Sequence, residues 1–332
     1  MKRFILFVLL ISSLCSTGCF FKQQEHTDTR FLMDTLVTIT TYGQNEAEIT
    51  AATDEALTAM KNVADATDPY ESHLPKDLYF LNTRAGQGAQ KVNPILYTLL
   101  KKANGLHHKE MNLALGPVIR LWQTHSKAKT VPSQKEITSL LAMCPDNAFT
   151  LNGADSITLA PKAQLDLGAI AKGYGVDAAA AALKKNAKVT SALINAGGNI
   201  MVLGTKEDKK PWRIGIAHPR KEQQLLGTLE LASGMAIATS GDYQRYYEVN
   251  GQRYHHLLDP KTGYPAKGTI SATAVAHSGF LSDYYSTVLF ILPLEEAKAL
   301  VEATPDLEAI IYNSQGELYV SPGLKNTFIL AK

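Results

Sequence analysis

Apolar and polar positions alternate along this chain in two different periods. Near the start, Leu36, Thr38 and Thr40 alternate with Val37, Ile39 and Thr41, which predicts a strand. Ile49, Ala52, Ala56, Met60 and Val63 then recur at helical spacing and predict an amphipathic helix over about 46–65. Pro94 opens a second helix that runs to about His107. Ser133 with Glu136 forms a capping box ahead of Ile137 and Leu140 and starts a third. A strand over Ser156–Leu159 precedes an Ala-rich helix over Val176 to about Lys185. Beyond that point the period is mostly two. Strands are expected over Thr190–Ile194, Trp212–Ala217, Leu226–Leu231 and Ile270–Ala276. Tyr246–Val249 and Gln252–Leu257 flank Asn250-Gly251, a type I′ hairpin signal. Phe280–Leu292 reads as an apolar helix stopped by Pro293, and Ala309–Val320 as a last hairpin around Ser314-Gln315-Gly316. No repeat, low-complexity run or clear linker interrupts the pattern. The expectation is one α+β unit with mixed or antiparallel sheets, packed helices and two lobes around a ligand cleft.

The first residues stand apart. Lys2 and Arg3 precede an apolar run from Phe4 to Leu14 that is too short to span a bilayer, as in an export signal. It ends in Ser16-Thr17-Gly18-Cys19, the mark of a lipoprotein signal in which Cys19 is acylated, although Ser16 stands where a Leu is usual. The plainer alternative is a secretory signal cleaved nearby. The division expected is a signal peptide over 1–18, a polar tether over 19–29 and one domain over 30–332. The mature chain is expected at the cell membrane, lipid-anchored on the extracytoplasmic face. Lys and Arg number 33 against 31 Asp and Glu, with no basic block that suggests nucleic acid. Of the three cysteines, Cys15 goes with the signal and Cys19 is modified, so Cys144 has no internal disulfide partner and reads as a small buried hydrophobe.

Four blocks carry candidate chemistry. Asp166-Leu167-Gly168-Ala169-Ile170-Ala171-Lys172-Gly173-Tyr174 reads as a strand end passing into a helix. Glycines there admit a close ligand, the helix N-terminus suits phosphate, and Lys172 adds a cation. A simple turn with a surface ion pair is the alternative. Asn195-Ala196-Gly197-Gly198-Asn199 is a Gly-rich turn between apolar strands, readable as a tight turn alone. Ala238–Tyr243 and His255–Pro265 form the third block. Adjacent strand residues point to opposite faces, so His255 and His256 cannot both serve one site, and one of them could accept a proton from a hydroxyl. Asp259-Pro260 and Thr262-Gly263 could be turn chemistry only. Asp283 and Thr287 lie four apart on an apolar helix and share a face. Their hard oxygens suit Mg²⁺, or Asp283 caps the helix and Thr287 bonds back to the backbone.

In this order the four blocks resemble the FAD:protein FMN transferase family, the ApbE-type flavin transferases, over about Phe31–Leu330. The resemblance implies an ApbE-like, T-fold-related architecture around an FAD cleft. It implies FAD contacts from Met33, Tyr70, Leu113, Ala114, Leu115, Asp166, Lys172 and Leu257. Asp34 replaces the family's Gly after Met33, and apolar residues stand where an Asp and a Thr often precede Gly116. The resemblance further implies Mg²⁺ on the Ala169 carbonyl, Asp283 and Thr287, with His256 beside the reacting phosphate as base. The implied reaction moves FMN from FAD to a Thr or Ser hydroxyl of an acceptor flavoprotein of the cell envelope and releases AMP. Hydrolysis of FAD at the same metal site, and a flavin-binding lipoprotein without chemistry, are the competing readings.

Overall fold

The chain is described from a computed structural model that covers residues 23–153, 155–206 and 209–331. Strands β1 (Gln24–Leu32) and β2 (Thr35–Gly43) form an antiparallel hairpin in which Thr27 meets Thr40 and Thr29 meets Thr38. Met33 and Asp34 turn it, both with positive φ, at 54° and 57°. The left-handed region costs a residue with a Cβ about 1–2 kcal/mol, and glycine very little. After the entropy that glycine loses on folding is subtracted, Asp34→Gly is expected to stabilise the protein by about 0.5 kcal/mol, read as a higher midpoint in urea.

Residues 24–29, expected as part of a tether, belong to β1 instead. Their side chains are largely polar, but an edge strand needs only its backbone ladder and one row of partners, here the threonines of β2. Cys19, the signal segment and the first tether residues lie outside the described residues.

Helix α1 (Glu46–Thr67) is capped by Asn45, whose side chain accepts from the Glu48 N–H at 3.2 Å. Its stripe of Ile49, Ala52, Ala56, Met60 and Val63 is buried as the spacing predicts, each large side chain contributing roughly 1.5–3 kcal/mol. Next come α2 (Leu78–Thr83), β3 (Ala89–Lys91) and α3 (Pro94–Asn104), which ends ahead of His107 because Gly105 caps it. Helices α4 (Gly116–Ala128) and α5 (Gln134–Leu141) follow, the latter with the full Ser133–Glu136 capping box. Strands β4 (Phe149–Asn152) and β5 (Ser156–Leu159) precede α6 (Ala171–Leu183). Strands β6 (Val189–Ala196), β7 (Asn199–Leu203), β8 (Trp212–Ala217), β9 (Leu225–Leu231) and β10 (Ala236–Gly241) come next. The hairpin of β11 (Tyr246–Val249) and β12 (Gln252–His255) turns on Asn250 and Gly251, both at positive φ as a type I′ turn needs. The chain closes with β13 (Thr269–Ala276), α7 (Gly279–Ile291), α8 (Leu294–Ala303), β14 (Glu308–Asn313), β15 (Leu318–Val320) and β16 (Phe328–Leu330).

The frame is an eight-stranded antiparallel sheet in the order β1-β2-β6-β7-β10-β13-β14-β15. One face carries α1, α6 and α7, through Ile39, Ala192, Ile194, Ala272 and Ala274. The other face packs on the smaller sheet β16-β9-β8, where Val202, Ile237, Val275 and Ile310 meet Trp212 and Leu229. Every residue of β13 is therefore buried, and the chain is α+β with antiparallel sheets and packed helices. No helix among the described residues is long and apolar enough to cross a membrane.

Candidate active site

A cleft of about 1000 Å³ opens where the β1–β2 turn, the start of α6, the β6–β7 turn and the middle of α7 converge. Its size falls at the upper end of ordinary ligand sites. Met33, Tyr70, Leu113, Leu115, Asp166, Ala169, Lys172, His256, Leu257, Asp283 and Thr287 all border it. Ala114 does not: it is 1% exposed and packed into the core, while its backbone N–H is donated to Asn112 Oδ1 at 2.8 Å. A small apolar side chain between two cleft-facing leucines turns inward with the backbone, so any contact there falls to Leu113 and Leu115.

The centre of the site is Asp283. Ser278 caps α7, so the carboxylate of Asp283 is not spent as a cap and sits buried on the first full turns of the helix. Oδ2 accepts the Gly173 N–H at 2.8 Å, and Lys172 Nζ stands 3.9 Å from Oδ1. In a longer α6 the Gly173 N–H would be donated four residues back, to the Ala169 carbonyl. Its donation to Asp283 leaves that carbonyl without its helical donor, at the cleft wall. Helices α6 and α7 touch here. A Cβ on Gly173 would lie 2.0 Å from the Gly279 carbonyl oxygen and 2.6 Å from Asp283 Cβ, so only glycine fits. One turn on, Thr287 Oγ1 lies 3.3 Å from Ser240 Oγ, which also pairs with Ser286 Oγ at 2.9 Å. The Thr287 hydroxyl donates back to the Asp283 carbonyl only at 3.5 Å, a weak bond.

Burial raises the Asp283 pKa, and the Lys172 cation is the first of the groups that oppose the rise. Burial likewise raises Asp166, against the Gly168 N–H, which it accepts at 2.9 Å, and against Arg120 and Lys172. Asp166 does not follow a strand as expected. Gln164 makes one isolated bridge to Leu115, and the adjoining Leu165 backbone is held by the Asn82 side chain. Helix α6 also starts earlier than its apolar spacing predicts, which puts Lys172 and Gly173 in its first turn.

The two histidines separate as the strand period requires. His255 is buried, with Nε2 3.0 Å from the Ala266 carbonyl and its ring edge-on to Phe290. His256 faces the cleft, with Nδ1 3.2 Å from the Arg245 carbonyl. A carbonyl can only accept, so Nδ1 carries the proton and Nε2 keeps its lone pair. Loss of hydration, then the charges of Arg245 and Lys172, lower the His256 pKa to about 4. The ring is still exposed to water in the open cleft, which moderates the shift, and the imidazole is neutral at pH 7 in either case.

The remaining blocks are partly structural. Asp259 accepts from the Lys261 N–H at 2.9 Å and turns the chain, and Trp122 Nε1 donates to the Gly263 carbonyl at 2.7 Å. Gly197 and Gly198 make the tight β6–β7 turn at φ 58° and 96°. Cys144 is buried, with its thiol pushed up to about 11 by burial, and plays no part in the cleft. Several cleft residues have no sequence signal as candidates. Gln123 donates to the Tyr70 hydroxyl at 2.7 Å, and it and Arg245 are known to the site only through the fold, whereas Ser240 belongs to the Ala238–Tyr243 block.

The ApbE family model matches residues 33–311. A Klebsiella pneumoniae protein named FAD:protein FMN transferase is 34% identical over 73% of this chain and 76% of its own length. The crystal structure of the ApbE protein of Thermotoga maritima superposes with a TM-score of 0.81 at 28% identity, over 92% of this chain and 99% of that one. The apo Pseudomonas stutzeri flavinyl transferase ApbE superposes at 0.78 with 26% identity, over 94% and 99%. With the family model matching residues 33–311 and the fold shared over nearly the whole length of solved relatives, the chain belongs to the ApbE family.

Proposed function

We propose that this chain transfers FMN from FAD to a Ser or Thr hydroxyl of an acceptor protein, with Mg²⁺ in the cleft and AMP as the second product. Membership of the ApbE family and relatives named FAD:protein FMN transferases make it a flavin transferase enzyme. The observation that carries the finer reading is Asp283, a buried carboxylate whose nearest cation is 3.9 Å away and which borders the cleft beside a hydroxyl and a backbone carbonyl.

These donors fit the metal. Asp283, Thr287 Oγ1 and the Ala169 carbonyl are all hard oxygens and only one is charged, which leaves positions for water and phosphate oxygens, as Mg²⁺ prefers. When bound, Mg²⁺ would neutralise charge on the FAD pyrophosphate. Lys172, at the head of α6, adds a second positive group for the same phosphates. Met33, Leu113, Leu115 and Leu257 supply apolar cleft wall for a flavin ring, and Tyr70 a further aromatic face. His256 Nε2 takes the proton of the attacking hydroxyl. The hydroxyl oxygen bonds to the FMN phosphorus as the bond to the AMP phosphate breaks.

A loose transition state asks little of a base. His256→Ala is therefore expected to lower the transfer rate by about 10²-fold, the low end of general-base effects, with little change in FAD affinity. The lowered pKa predicts that the acid limb due to this residue lies below pH 6.5, because the base stays unprotonated until the pH falls toward its folded-state value. A rate profile whose acid limb is the same in wild type and His256→Ala would remove His256 as the base.

The reading as a whole is tested with purified protein, FAD, Mg²⁺ and a candidate acceptor. A fluorescent acceptor band in a denaturing gel, with stoichiometric AMP and loss of both on chelation, is expected. AMP release with no band in the presence of a competent acceptor would establish hydrolysis instead. We also propose that the enzyme is anchored through lipid on Cys19 at the extracytoplasmic face. Labelled palmitate incorporated by wild type and not by Cys19→Ser is the expected result.

A further inference from the structure

Asn199 is the first residue of β7, immediately after the double-glycine turn, and only 4% exposed. It borders the cleft. Its neighbour across the turn, Asn195, has a plain structural use, since Oδ1 accepts the Gly198 N–H at 3.0 Å. No such use is seen for the Asn199 Nδ2, which is buried and makes no well-formed hydrogen bond. A buried unmade donor is destabilising, and native folds keep few. The surroundings narrow what could satisfy it. Nδ2 is covered by protein, so a phosphate of a ligand cannot reach it directly. The acceptor beside it is the Asp283 carboxylate, whose charged form the Asn199 amide favours, although the two do not make a well-formed hydrogen bond. That carboxylate already holds one donor, the Gly173 N–H on Oδ2.

We infer that Asn199 is a positioning residue of the transfer site, whose Nδ2–H closes onto the Asp283 carboxylate when a cation draws that carboxylate into its working orientation. The inference rests on the metal reading above and deepens it. Two N–H donors, one from the backbone of α6 and one from the β6–β7 turn, then fix the carboxylate from behind and leave its remaining lone pairs for the cation. Groups of this kind orient metal ligands, and their loss typically weakens metal binding by about 10- to 100-fold. The tight turn has its reason here: Gly197 at φ 58° lets the chain reverse against Thr35 and delivers Asn199 to the floor of the cleft.

The test is a MgCl₂ titration of the full chain with FAD present, followed by flavin fluorescence, in wild type, Asn199→Leu and Asp283→Ala, with a melting curve for each. Leucine matches the size of asparagine and removes the donor. Asn199→Leu is expected to need roughly 10- to 100-fold more Mg²⁺ at half-saturation, with unchanged metal-free FAD affinity and no fall in melting temperature. The pair Asn199→Ala and Asn199→Ser, close in size and different by one hydroxyl donor, keeps the test open should leucine disrupt the turn. Serine is then expected to hold the tighter Mg²⁺ response. Curves for Asn199→Leu that overlay wild type while Asp283→Ala is shifted, or equal curves for the Ala and Ser variants, overturn the inference alone. A wild type indifferent to both Mg²⁺ and Asp283→Ala overturns the metal reading and this inference with it.

Discussion

Asp283→Asn is expected to abolish most of the transfer, by roughly 10²- to 10³-fold, the scale of losing one preorganised electrostatic contact to a reacting group. The protein should remain folded. The amide oxygen can still accept the Gly173 N–H that Oδ2 accepts in the wild type, and the shape is conserved. The sign of the stability effect follows from the raised pKa of Asp283. A carboxyl that binds its proton more tightly folded than unfolded contributes stability below its unfolded pKa and loses it as pH rises through the folded one. Above its folded-state value the metal-free wild type carries that loss, and the asparagine variant, which does not titrate, has none to carry. The variant is therefore expected to melt at or above the wild-type temperature without ligands. Mg²⁺ with FAD should raise the melting temperature of wild type only, because a ligand stabilises the state that binds it. Melting curves with and without the pair check both statements. A variant that loses activity and also melts far below wild type would make Asp283 a residue of the scaffold instead.

The second large effect is expected at Gly173. Alanine there would place a Cβ 2.0 Å from the Gly279 carbonyl oxygen, and backbone on both sides cannot yield as a side-chain tip can. Helices α6 and α7 must part, at a cost of about 1–3 kcal/mol, visible as a lower urea midpoint with an unchanged slope. The same movement lengthens the Gly173 N–H to Asp283 bond, so the Mg²⁺ requirement should rise along with the instability. Gly175 makes a useful comparison on the same helix. Its added Cβ would meet side-chain atoms of Met60 and Met33 at 3.1–3.2 Å and no backbone, and Gly175→Ala should cost less. Equal stability for Gly173→Ala and wild type would mean that the close crossing does not set the position of Asp283.

Most of the elements were readable because their causes are local. The stripe on α1, the Ser133–Glu136 box and the Asn250-Gly251 turn depend on residues within a few positions of one another, and each stands where its pattern predicts. Boundaries moved where one residue outweighs a period, as at Gly105, which stops α3 early. β1 is hidden in the sequence for a related reason: its polar residues carry no period-two signal of burial, and only the partner strand β2 makes them a strand.

The site divides along the same line. Asp283 and Thr287 share a face because helix geometry places residues four apart together, and His255 and His256 part because a strand alternates, so both facts were legible in the chain order. That Asp283 takes a hydrogen bond from Gly173, that the Ala169 carbonyl loses its helical donor, and that Ala114 turns into the core while its neighbours face the cleft depend on how α6 crosses α7 and on the loop ahead of α4. The role of Asn199 depends on a turn that brings β7 beneath α7, far along the chain. Local chemistry proposes the groups of this protein; long-range packing, which fixes distance and removes water, decides which of them meet and what each has left to bond.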